Sequence, residues 1–152
     1  MKLATIEIDK NPCLIFRIND ELGVSIDTLS KAFNLKLSWS SMQEFISSDS
    51  IMLQEIAHKV EKITQQPDQY NLIKLNKVTW LPPNPNTRKI LGVAFNNKGI
   101  RKEAHFDPGC PNYFLKSSSC LNGHNEPVLI RDYYGNTIPE PELCLFIGNP
   151  DK

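Results

Sequence analysis

The chain is predicted to be α+β, a small N-terminal α+β unit followed by the start of a β-rich one. Three observations carry this expectation. Residues 3–17 read as short strands around a turn, residues 25–66 carry helical spacing with capping residues, and residues beyond a proline cluster return to short apolar runs. The boundaries drawn are 1–76 for the first domain, 77–88 for a proline-rich connector and 89–152 for the β-rich portion.

Residues 3–8 and 13–17 alternate or run apolar, and Asn11-Pro12 between them signals a turn, so a hairpin is expected to open the chain. Ser25 precedes Ile26, Leu29, Ala32 and Phe33 at helical spacing. Ser41 and Glu44 have capping-box spacing beside Met42, Phe45 and Ile46. A longer helix follows a cap at Asp49 or Ser50. Its inward side is Met52 or Leu53, then Ile56, Val60 and Ile63, with Glu55, Lys59 and Lys62 outside. Gln66-Pro67-Asp68 ends it. His58 lies on this helix with no metal-ligand partner at i+4, and it reads as a partly exposed helical residue.

Trp80-Leu81-Pro82-Pro83-Asn84-Pro85-Asn86 excludes helix and central strand, because each proline lacks an N–H and restrains the residue before it. This stiff connector leads into a strand at Lys89–Phe95. Polar residues 96–104 fit a loop or a short helix. Tyr113–Lys116, Pro127–Ile130 and Glu142–Ile147 are short strand candidates.

The composition, 40% hydrophobic and 22% charged, is ordinary for a globular protein. Seventeen basic residues against seventeen acidic ones leave zero formal charge, hence no long-range pull toward nucleic acid or anionic lipid. Lys98, Arg101 and Lys102 form a short basic cluster that reads as a solvated face. No apolar run is long enough to span a bilayer, and MKLATIEIDK lacks a signal-peptide core. A cytoplasmic protein acting on neither nucleic acid nor membrane is expected. The four cysteines form no CxxC pair and fit free thiols, with Cys144 expected inside an apolar strand.

Three segments of the second half stand out in order. The first is Leu81-Pro82-Pro83-Asn84-Pro85 followed by Lys89-Ile90-Leu91-Gly92-Val93-Ala94-Phe95-Asn96. The second is Tyr113-Phe114-Leu115-Lys116 with Gly123 seven residues after the lysine. The third is Glu140-Pro141-Glu142-Leu143-Cys144-Leu145-Phe146-Ile147-Gly148. Together they resemble the fumarylacetoacetate hydrolase family: its proline-rich lead into a strand, its Phe-x-Lys segment and its Glu-x-Glu-Leu metal-binding strand. The first half matches only in character, as that family's variable N-terminal domain. Glu-Pro-Glu-Leu is frequent in the family's sugar-acid dehydratase branch. The resemblance implies that residues 89–152 open a fumarylacetoacetate-hydrolase-like catalytic domain.

On a regular strand Glu140 and Glu142 share one side, continued by Cys144 and Phe146, while Leu143, Leu145 and Ile147 face the other. Two carboxylates held this close repel each other unless a cation lies between them. Mg²⁺ suits that place, since it takes octahedral oxygen ligands and keeps waters that a substrate can displace. The resemblance implies Glu140 and Glu142 as ligands of Mg²⁺, or of Mn²⁺ or Ca²⁺. It also implies a small 2-oxo acid, 1,3-diketone or sugar acid as substrate, cleaved by hydrolysis or a lyase step with the metal as Lewis acid. Lys116 is the expected substrate contact, donating to the carboxylate or the developing enolate.

The chain departs from the family pattern in three respects. The family's acid–base His and Glu fall here on Lys98 and Arg101, so His105 with Glu103 is the catalytic pair proposed in their place. The family's third metal ligand is an aspartate well downstream, and Asp151 is too close to Glu142 to be that residue. The strands present would leave edges unpaired and apolar faces uncovered, so a homodimer or association with a C-terminal half is expected.

Two other readings compete. His105, Cys110, Cys120 and His124 have ligand types that zinc favours, which would make the second half a small zinc-stabilised module. Alternatively, the chain is a catalytically silent binding or assembly fragment.

Overall fold

A computed structural model describes residues 1–148; Asp151 lies outside them. The fold is α+β, with four α-helices and seven strands among the described residues. The chain divides into two units: residues 1–84 together with the segment from 122 onward, and residues 85–121.

The first unit opens with β1 (Leu3–Ile8) and β2 (Asn11–Arg17), an antiparallel hairpin. Its turn is Asp9-Lys10 and not Asn11-Pro12. Both turn residues have positive φ, 49° and 64°, as a two-residue hairpin loop requires. The Asn11 side chain donates to the Asp9 carbonyl at 2.9 Å, and Pro12 is taken into the first positions of β2, where a missing N–H is tolerated.

Three further strands, too short to show a period in the sequence, complete the sheet: β3 (Leu22–Ser25), β4 (Ile73–Lys74) and β5 (Thr79–Trp80). The order is β4-β3-β2-β1-β5, and every pairing is antiparallel.

One face of the sheet carries the helices. Ser25 caps α1 (Ile26–Phe33), accepting from the Thr28 N–H at 3.1 Å, and Asn34 ends it in the left-handed conformation. Ser41 caps α2 (Met42–Ile46), and Glu44 reaches back to the Ser40 N–H at 2.6 Å, completing the expected box one residue early. Asp49 caps α3 (Ser50–Gln65), accepting from Ile51 and Met52. α3 buries Ile56, Val60 and Ile63 against Leu14, Phe16, Val24, Leu29 and Phe45. Phe45 meets the Phe16 ring edge-on at 5.6 Å and Trp39 at 5.1 Å. Each such buried side chain contributes about 1.5–3 kcal/mol.

Among the described residues the opposite sheet face carries no α-helix. Ile6, Ile15 and Leu75 form a smaller core there, edged by Trp80. Gly23 makes room for it, since a Cβ at that position would lie 3.0 Å from Leu75 and 3.1 Å from Ile15. The proline-rich connector is fastened to the sheet. Leu81 N–H donates to the Thr5 carbonyl at 3.0 Å, Thr5 Oγ1 donates to Pro83 O at 2.6 Å, and buried Asn84 donates to Gln43 at 3.1 Å.

In the second unit β6 (Ile90–Ala94) pairs antiparallel with β7 (Asn112–Lys116), and the Phe114 ring lies over Gly92 opposite. Between them, residues 96–104 take the helical alternative as α4 (Lys98–Glu103), capped by Asn97. Every residue of β7 is exposed.

The expected strands at Pro127–Ile130 and Glu142–Ile147 are not formed; both segments are irregular and exposed. Both are short apolar runs, but a strand also needs a backbone partner, and Pro127 and Pro141 each remove a donor. Cys144 is accordingly exposed and not buried. No helix among the described residues is long and apolar enough to cross a membrane.

Candidate functional site

Glu140 and Glu142 lie in the exposed, irregular segment that precedes Leu143, so no strand fixes them on a common face. Among the described residues, no three His, Cys, Asp or Glu side chains come together to hold a metal ion. As they stand, the two carboxylates do not make the octahedral donor set that Mg²⁺ requires. The same finding bears on the zinc alternative. His105, Cys110 and Cys120 are exposed, Cys120 Sγ donates to the Ser117 carbonyl at 2.8 Å, and His124 meets the Trp80 ring edge-on at 5.9 Å.

Lys116 ends β7 with its side chain free in solvent apart from the Phe114 ring, whose centroid lies 5.9 Å from Nζ. Glu103 is the last residue of α4, and His105 follows the helix cap with φ of 49°. Both are exposed. His105 N–H donates to the Lys102 carbonyl at 3.3 Å, which closes the helix. Arg101, one of the two positions that the resemblance sets against an acid–base pair, is bridged to Asp107 at 3.3 Å.

The structure also presents a concavity that sequence reasoning did not find. It is a cavity of about 1350 Å³ on the helix-free face of the sheet, floored by Ile15, Leu75 and Trp80. Its charged wall is balanced, with Lys2, Arg17 and Lys74 against Asp20, Glu21 and Glu126. Arg17 and Asp20 are paired with each other. No period or motif could have signalled it, because its floor depends on two-residue strands and a single turn at Leu75. Cys13, on the same face, is half-buried; burial pushes its thiol up, and the Asp27 carboxylate adds to the shift.

No protein-family model matches the chain, and no curated protein matches it.

Proposed function

We propose that this chain supplies part of a metal-dependent hydrolase or lyase of the fumarylacetoacetate hydrolase type, acting on a 2-oxo acid or 1,3-diketone. The observation that carries the reading is the state of residues 142–147. Leu143, Leu145 and Ile147 are 92%, 79% and 77% exposed. They are one side of a strand pattern with no strand beside it among the described residues. Pairing with a neighbouring β segment would bury that row and turn Glu140 and Glu142 together to the other side. The further metal donors would come from that neighbour, either a second copy or a C-terminal half. Lys116, exposed on β7, would offer its ammonium to a substrate carboxylate. The four free thiols support a reducing, cytoplasmic setting.

The test is calorimetric titration of Mn²⁺ and Mg²⁺ into the chain and into its Glu142→Ala variant. Two carboxylates should bind with a dissociation constant on the order of a millimolar, and the variant should lose that binding. Equal, negligible binding by both removes the enzyme reading for this chain.

A second reading, an assembly fragment without catalysis, is favoured by the exposed apolar side chains themselves, among them Tyr113, Leu115, Val128 and Leu129. Concentration-dependent association with no metal binding would select it.

A further inference from the structure

We infer that residues 122–126 are a detachable strap, seated on Trp80, that closes one side of the cavity on the helix-free sheet face. The strap is a small self-contained turn. Asn122 Nδ2 donates to the Pro127 carbonyl at 2.8 Å, and Glu126 N–H donates to the Gly123 carbonyl at 3.3 Å. It meets the sheet at Trp80. There the Gly123 backbone approaches so closely that a Cβ would stand 2.0 Å from the Trp80 carbonyl oxygen, and the neighbouring His124 ring meets the Trp80 ring edge-on at 5.9 Å and 88°. His124, Asn125 and Glu126 then form one wall of the cavity.

Nothing in this seat is buried deeply. Trp80 is half-buried, and Asn122, His124, Asn125 and Glu126 are exposed. The sheet beneath does not depend on the strap. Trp80 is held in place by pairing with Ile6 on β1, and Leu81 by its bond to Thr5. An exposed segment of irregular backbone, over a sheet fixed by its own ladder, belongs to the class of segments that open locally at low cost. Its lifting would widen the cavity without disturbing either core. The cations and anions of the wall are equal in number, so its formal charge gives no net pull on an ion of either sign. The inference is independent of any metal at Glu140 and Glu142.

Fluorine NMR on chain labelled with fluorotryptophan tests this. The two tryptophans give two signals, and Trp80→Phe assigns them. Gly123→Val places a branched side chain where the Trp80 carbonyl lies, and His124→Ala removes the ring contact. Both variants should shift the Trp80 signal and raise its light-against-heavy-water isotope effect about twofold, as the indole opens to solvent. The Trp39 signal should stay in place. An unmoved Trp80 signal in both variants shows that the seat does not exist in solution. Loss of both native signals in Gly123→Val shows that the segment is core and not a strap. Either result overturns the inference.

Discussion

Phe16 and Leu145 are both large apolar residues in strand-like sequence, yet they should respond to truncation very differently. Phe16 is fully buried, lies near the end of β2, the central strand of the sheet, and packs its ring against Phe45. Phe16→Ala removes that packing and leaves a cavity between sheet and helices, which costs about 3–5 kcal/mol. Total stability for a domain of this size is about 5–15 kcal/mol, so the loss is a large fraction of what holds the fold together. Its melting midpoint should fall by roughly 15–30 °C. Leu145 is 79% exposed, so Leu145→Ala should change stability by no more than about 0.5 kcal/mol. Urea unfolding followed by far-ultraviolet circular dichroism reads both, with the slope against denaturant checked for constancy. If Leu145→Ala costs as much as Phe16→Ala, residues 142–147 are packed in solution, and the uncovered row on which the functional proposal rests is not there.

Other expectations follow from single contacts. Asp49→Ala removes the acceptor for two N–H groups at the start of α3 and should cost about 1 kcal/mol in the same urea assay. Thiol labelling should be fast at exposed Cys110, Cys120 and Cys144 and slow at half-buried Cys13, with mass spectrometry counting the adducts. The Cys13 shift also sets a sign. A thiol raised by folding ionises first in the unfolded chain, so stability is unaffected at neutral pH and declines as pH rises past the ordinary thiol range; Cys13→Ala should flatten that decline. Gly23→Val should destabilise by about 1–3 kcal/mol, because the added carbons meet Leu75 and Ile15 at close range.

The helices were legible in the sequence because their signals are local. Ser25, Ser41 and Asp49 each bond the N–H groups that their spacing implied, and Ile56, Val60 and Ile63 are buried as the period required. The β structure was only half legible. β1, β2, β6 and β7 carry enough residues to show alternation, whereas β4 and β5 are two residues long and exist only because a neighbouring strand supplies their partners. The reverse error arose at Glu142–Ile147, where a short apolar run finds no partner among the described residues. The same distinction applies to the candidate site. Glu140 and Glu142 are readable as residue types, but whether they face one ion depends on strand pairing, which a pattern does not contain. The sheet-face cavity was invisible because its walls come from residues far apart in sequence.

Paramagnetic line broadening by dilute Mn²⁺, read amide by amide, interrogates the carboxylate pair most directly. Broadening centred on residues 140–143, and abolished in Glu140→Gln and Glu142→Gln alike, is the result expected if the two side chains act as one ligand pair. Broadening spread evenly over the chain's acidic residues, or unchanged in either variant, would mean that Glu140 and Glu142 are two unrelated surface charges.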